Sequence, residues 1–243
     1  MATPSFYCDE LSIELLQAAD PVVTLSESES SHAVRARRLR EGQAVNVLNG
    51  WGLIGHGSIL TLDKRAVQIK FDSHSLIPQA QCRLTIATAI PKGDRQKVMV
   101  DMLTQIGVAQ IIPLQCEHSV TRYSDNLGKK WQRAAIESCK QSQNPWLPVI
   151  TEPLSVEQLI AQKKRNIVYA DAGGQSMSSL CQNFEDNVET DLVVIIGPEG
   201  GLSENEVKAL DSNNILPISL GNNILRTEAA AITAAAQFVQ NYR

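Results

Sequence analysis

Gly197, Pro198, Glu199, Gly200 and Gly201 follow one another directly after the apolar run DLVVII at 191–196. A second turn of related character, Gly221 to Arg226, follows ILPISL at 215–220 and runs into the Ala-rich stretch TEAAAITAAA. Glycine permits backbone angles and close approaches that a side chain blocks, and Pro198 removes a donor and stiffens its turn. Loops of this composition present a ligand with main-chain N–H and C=O groups rather than side chains. Glu199 and Arg226 are the ionisable groups within them. A carboxylate there can accept a proton, or fix its own loop through backbone donors. The guanidinium can stabilise a developing anion, or form a structural ion pair with Glu228 or Glu199.

The elements that must position these loops are legible from pattern. DLVVII is the continuous apolar run of a strand buried on both faces. Ser203 with Glu206 reads as a capping box that opens a helix over 203–211. ILPISL reads as a second strand, and a long helix begins near Arg226 or Thr227. The six alanines at 229–231 and 234–236 leave that helix slim, which predicts close packing against a neighbour. The two loops then lie at the ends of two neighbouring strands, where a pocket can form. A Gly-rich turn is also ordinary punctuation between a strand and a helix, so each loop alone decides nothing.

Upstream, RLTIATAI at 83–90 predicts a strand, followed by a helix at about 94–106 with Val98, Met102, Leu103 and Ile106 on one face and Gly107 as its stop. A strand at 109–114, a helix at about 126–143 and a strand at 166–170 continue an alternating α/β pattern. Before residue 75 the pattern changes. AVNVLN at 44–49, LIGHGSIL at 53–60 and AVQIKF at 66–71 are short runs separated by Gly50, Gly52 and the Asp63–Lys64 turn, which predicts a small antiparallel barrel.

With 243 residues, 43% hydrophobic and 20% charged, the chain has the composition of a globular protein long enough for one large domain or two small ones. No apolar run approaches the length that spans a bilayer, and MATPSFYCDELS has no basic region followed by an apolar core, so a signal peptide is not expected and a cytoplasmic location is. The five cysteines, at 8, 82, 116, 139 and 181, form no CxxC pair and read as reduced thiols. His32, His56, His74 and His118 are dispersed, so no metal site is expected. The net charge of −4 argues against a generally basic surface. Local patches are a different matter: Arg35, Arg37, Arg38 and Arg40 crowd into six residues, and Lys92, Arg95 and Lys97 into another six. Both are candidate nucleic-acid contacts. The structural alternative for the first is a solvated helix face.

GPEGGLS at 197–203 together with LGNNILRTEAAAITA at 220–234 resembles, nearly letter for letter, the carboxy-terminal signature of the RsmE-type small-subunit ribosomal RNA uridine N3-methyltransferases of the SPOUT class. IPKGDRQKVMVDMLTQIGVAQIIPL at 90–114 matches a second block of that family, and Gln141 and Pro148 match a third. The resemblance implies a PUA-like RNA-binding β-barrel over 1–75, where His32, Arg38 and Gly42 fall on the amino-terminal motif. It implies an α/β methyltransferase domain with a trefoil knot over 76–243. The implied cofactor is S-adenosylmethionine, held by Ile196, Gly197, Pro198, Glu199, Gly200, Gly201, Leu220, Gly221, Asn222, Ile224, Leu225, Arg226, Thr227, Glu228 and Ala229. The implied reaction is methylation of uracil N3 in 16S ribosomal RNA, by a homodimer whose pocket a second subunit completes. RNA would be held by His32, Arg35, Arg37, Arg38, Arg40, Lys92 and Arg95. Arg226 would stabilise the uracil anion, with Glu199 as a second catalytic candidate.

Departures from the family pattern cluster among basic and acidic positions. Ala2 and Ser5 replace arginines near the amino terminus, and Ala36 and Arg37 replace a Val-Leu pair. Gln105 and Ile106 displace a glutamate, His118 stands for an arginine, Lys140 for an acidic residue and Asn144 for an arginine. Two other readings therefore stay open on the sequence. One is a protein of the same fold drifted to another RNA or to a non-catalytic role. The other is a nucleotide-phosphate enzyme, although no P-loop lysine follows Gly200 or Gly201 and DAGG at 171–174 is too short a match.

Overall fold

A computed structural model of the chain describes residues 3–35, 39–162, 166–182 and 191–241. The chain divides into two compact units, one of residues 1–79 with 136–147 and one of 80–135 with 148–243. Residues 136–147, the end of a long helix and the turn after it, thus group with the amino-terminal unit.

The first unit holds β1 (Ser5–Tyr7), α1 (Ile13–Leu16), β2 (Val22–Thr24), α2 (Glu27–Arg35), β3 (Ala44–Leu48), β4 (Leu53–Thr61) and β5 (Gln68–Leu76). They form one five-stranded sheet in the order β1-β3-β4-β5-β2. Adjacent strands are antiparallel except β1, which runs parallel to β3. Burial alternates along β4, with Leu53, Gly55, Gly57 and Ile59 facing inward. A Cβ at Gly57 would strike the main chain of Lys70, so β5 lies against β4 where only glycine fits. The pairing register shifts at this glycine, a bulge that bends the sheet. Phe6, Val23, Val45, Val47, Ile69 and Phe71 pack into the enclosed core. The barrel expected from the sequence is therefore a curled sheet with β1 and β2 at its edges. Both edge strands are three residues long, too short to leave a pattern.

The second unit holds β6 (Arg83–Ala89), α3 (Arg95–Ile106), β7 (Gln110–Leu114), the first part of α4 (Asp125–Ser142), β8 (Val149–Ile150), α5 (Val156–Ala161), β9 (Ile167–Ser176), α6 (Met177–Cys181), β10 (Asp191–Ile196), α7 (Glu204–Ser212), β11 (Leu216–Ser219) and α8 (Thr227–Asn241). Its six strands are parallel throughout, in the order β11-β9-β10-β6-β7-β8. Val193 and Ile195 face a core shared with Val156 and Leu159 of α5 and Leu210 of α7. On the other side α8 packs on β6, β10, α3 and α6. Its Ala230, Ala231, Ala234 and Ala235 are buried, which is where the slim helix finds its close neighbour. Burial on both faces explains the unbroken apolar runs.

Two expectations need correction. The buried face of α3 is Met99, Val100, Leu103 and Thr104, whereas Val98 and Met102 are exposed, because contact with α8 turns the helix away from its most apolar stripe. The strands that carry the two Gly-rich turns are not neighbours either. β9 lies between β10 and β11. Its register against β11 jumps from Tyr169–Pro217 to Gln175–Ile218, so residues 170–174 loop out of the ladder. A Cβ at Gly174 would sit 2.5 Å from the main chain of Pro217 and Ile218, so this strand re-enters the sheet only through a glycine.

A buried ion pair ties the first unit together. Lys140 Nζ donates to Glu29 Oε1 and to Glu137 Oε1, both at 2.7 Å, and Glu29 Oε2 accepts from the Tyr7 amide at 3.2 Å. The Lys140 side chain is 3% exposed and that of Glu29 11%, while Glu137 is open to solvent. Removing one partner leaves an uncompensated buried charge, so Lys140→Ala is expected to destabilise the protein by roughly 3–5 kcal/mol. The double substitution Lys140→Met with Glu29→Gln should recover most of that loss. Chemical denaturation of the two variants checks it; equal destabilisation would show that packing, not the charge pair, matters.

Candidate active site

The carboxyl ends of β10, β9 and β11 surround a cavity of about 320 Å³. In a parallel sheet this edge collects the strand-to-helix turns, and ligands bind there. One wall is Ile196, Gly197, Pro198, Glu199, Gly201 and Leu202, with Val207 of α7. A second is Leu220, Gly221, Asn223, Ile224 and Leu225, with Thr227 and Ala230 at the start of α8. The third is Tyr169, Ala170, Asp171 and Ala172, the looped-out part of β9.

Most of the residues predicted from the two turns line this cavity. Gly200, Asn222, Arg226, Glu228 and Ala229 do not. Gly200 faces His118 instead, and a Cβ there would sit 3.4 Å from the His118 Cβ, an ordinary contact. The third wall was missed because NIVYA reads only as a strand and DAGG only as a failed phosphate loop. The signal was the position: a third parallel strand must end at the same edge.

Side chains behind the cavity hold its main-chain walls. Gly201 sits at φ +76, where glycine is favoured. Buried Glu206 accepts from the Ser203 amide at 2.8 Å and from the Glu117 amide at 3.0 Å, completing the predicted capping box and fastening the turn to the chain after β7. His118 Nδ1 donates to Gly201 O at 3.2 Å. Thr227 Oγ1 donates to Gly197 O at 3.3 Å, a direct link between the first and second walls. Gln237 Nε2 donates to Leu220 O at 3.4 Å. Burial, then the nearby Glu206 carboxylate, pushes the Cys116 thiol up to about 12, so it is neutral packing rather than a nucleophile. Burial also raises the Tyr169 phenol, with smaller contributions from Asp211 and Asp171.

The charged residues divide differently from the sequence expectation. Arg95 Nη2 lies 3.4 Å from Glu199 Oε1 and Arg95 Nη1 lies 3.6 Å from Glu228 Oε2. The ion pairs considered for Arg226 are thus made by Arg95. Arg226 is exposed just before α8, and its carbonyl accepts the Ala230 amide at 2.8 Å. Lys92 is exposed in the turn between β6 and α3. In the first unit His32 is half-buried in α2, Arg35 is the last residue of that helix and Arg40 is exposed. Arg37 and Arg38 lie outside the described residues. Among the described residues no group of three or more His, Cys, Asp or Glu side chains could hold a metal ion, and no helix is long and apolar enough to cross a membrane.

Comparison with known proteins gives this geometry a family. The model of an RNA methyltransferase domain matches residues 78–239, more than half of the chain, and that of an RNA methyltransferase PUA domain matches residues 25–72. A Synechocystis protein named ribosomal RNA small subunit methyltransferase E is 28% identical over 232 residues, covering 91% of this chain and 74% of the relative. The protein of the same name from Rickettsia conorii is 29% identical over 226 residues, covering 90% of each. A Legionella pneumophila structure assigned as a methyltransferase, solved with bound S-adenosylmethionine, is 25% identical with a TM-score of 0.86 and covers 97% of this chain and 96% of that one. The chain belongs to the RNA methyltransferase family.

Proposed function

We propose that this protein transfers a methyl group from S-adenosylmethionine to N3 of a uridine in 16S ribosomal RNA, as a cytoplasmic homodimer. The observation that carries the reading is the three-walled cavity at the carboxyl edge of the sheet, inside the residues that match the methyltransferase family. Relatives named for small-subunit ribosomal RNA methylation, and a similar structure with the cofactor bound, support the substrate and the donor.

The residues present fit that cofactor. Ile196, Leu202, Val207 and Leu225 offer apolar surface for an adenine ring, and main-chain groups of the flanking turns can read its polar edge. Among the described residues the amides of 222–225 donate to no protein acceptor, which leaves them open to a ligand. Asp171 places a carboxylate at the cavity, a charge that suits a cationic ligand. When bound, S-adenosylmethionine supplies an electrophilic methyl group, so the protein contributes chiefly positioning.

Uracil N3 is a poor nucleophile until its proton leaves, and the resulting anion must be stabilised. Arg226 suits that role, because it is exposed beside the cavity at the amino end of α8, where helix donors add positive potential. Glu199 is held by Arg95 and therefore fixes its turn rather than taking the proton. N3 lies on the pairing edge, so the uridine must be unpaired and turned outward. RNA phosphates would be held by Lys92 and by His32, Arg35, Arg37, Arg38 and Arg40 of residues 1–75, with methyl transfer assigned to residues 76–243. Exposure of Arg40 and Lys92 supports those assignments. Exposed Val98 and Met102 on α3, a helix that packs on α8, support a second copy at this helix pair. A trefoil knot around the two Gly-rich turns completes the reading and rests on the family resemblance.

Two substitutions separate binding from chemistry. Ala230→Leu adds volume at the cavity wall while keeping a good helix former, and should weaken S-adenosylmethionine binding roughly ten- to a hundredfold by calorimetry. Unchanged affinity would move the cofactor elsewhere. Arg226→Ala should leave cofactor affinity intact while lowering single-turnover methyl transfer by about two to three orders of magnitude, the typical loss on removing one electrostatic donor. A turnover rate equal to that of the parent would take Arg226 out of the mechanism.

A further inference from the structure

Arg95 is one of the cations that the sequence reading assigns to RNA, yet its guanidinium is already committed on three sides. Nε donates to Lys92 O at 3.3 Å, which braces the group against its own turn. Nη2 reaches Glu199 on the first wall of the cavity and Nη1 reaches Glu228 beside the second. The Arg95 side chain is 32% exposed and that of Glu228 only 12%. Glu228 Oε2 is buried without a hydrogen-bond partner, while Arg95 Nη1 stands 3.6 Å away. These two facts agree once contact type is considered: the separation is too long for a hydrogen bond but close enough for charge to matter. A nearly buried carboxylate therefore depends on this guanidinium for its compensation. Glu228 follows Thr227, the residue whose hydroxyl holds Gly197 O. A single planar cation thus spans the two turns that wall the cavity, and its removal would leave two like charges without their shared counter-ion.

We infer that Arg95 is a positioning residue that sets the separation of the two turns, acting on S-adenosylmethionine binding through Glu199 and Glu228 and not by contact with RNA. The inference rests on the reading of the cavity as the cofactor site. Loss of Arg95 raises the free energy of the binding-competent arrangement, so cofactor affinity falls although Arg95 does not line the cavity.

The test uses the full chain, with calorimetric titration of S-adenosylmethionine and separate measurement of small-subunit RNA binding across a salt series. Arg95→Ala should weaken cofactor binding about tenfold or more while RNA affinity stays within about twofold. Arg95→Lys should fall between parent and alanine, because a point charge cannot serve both carboxylates at once. Adding Glu228→Gln to Arg95→Ala should restore part of the cofactor affinity by removing the uncompensated charge. Cofactor affinity of Arg95→Ala equal to the parent's overturns the inference. So does a loss confined to RNA affinity with a flatter salt dependence, the signature of a phosphate contact. If Arg95→Ala does not fold, Arg95→Lys decides, and unchanged cofactor affinity in that variant rejects the positioning role. A parent that binds no S-adenosylmethionine removes the cofactor reading itself, which is a distinct result.

Discussion

The hydrogen bond from Thr227 Oγ1 to Gly197 O, 3.3 Å long, joins the two turns on which the cavity depends. Walls made of main chain cannot hold their own shape, because each glycine that lets the chain approach a ligand also adds conformational freedom. The shape is imposed from behind. Thr227, Glu206, His118, Gln237 and Arg95 each fasten one point of the turns to another element. A typical hydrogen bond contributes about 0.5–1.5 kcal/mol net, so no single tie dominates, but together they remove an ordering cost that a ligand would otherwise meet on binding.

Much of this architecture is legible in the sequence, and the reasons are local. DLVVII reads as a buried strand because both faces of β10 are covered, and Ser203 with Glu206 announces α7 because a capping box needs only residues three apart. Gly107 ends α3 in the left-handed conformation that its type suggests. What escaped the sequence is decided at long range. Nothing in 191–220 says that β9 inserts between β10 and β11, so Tyr169 to Ala172 went unrecognised as a wall. The buried stripe of α3 contains Met99 rather than Val98 because α8 chooses the face. β1 and β2 are too short to show a period.

Two residues that the resemblance marks as unusual have long-range roles in the fold. Lys140 is the buried partner of Glu29, 111 residues away in sequence. His118 supports Gly201 O. Ser5 is buried with a hydroxyl that has no hydrogen-bond partner, and nothing in the structure explains it.

The charge of −4 sets the remaining constraint, since RNA must be met by local cations against an acidic whole. With Arg95 held by Glu199 and Glu228, Arg226 just before α8 and Lys92 between β6 and α3 are exposed cations. The most direct test is to incubate the protein with S-adenosylmethionine and small ribosomal subunits from cells lacking it, then to map modified nucleotides in the 16S ribosomal RNA by mass spectrometry. A single new N3-methyluridine is predicted. Methylation at another atom or in another RNA, or none at all with the cofactor bound, would contradict the assignment.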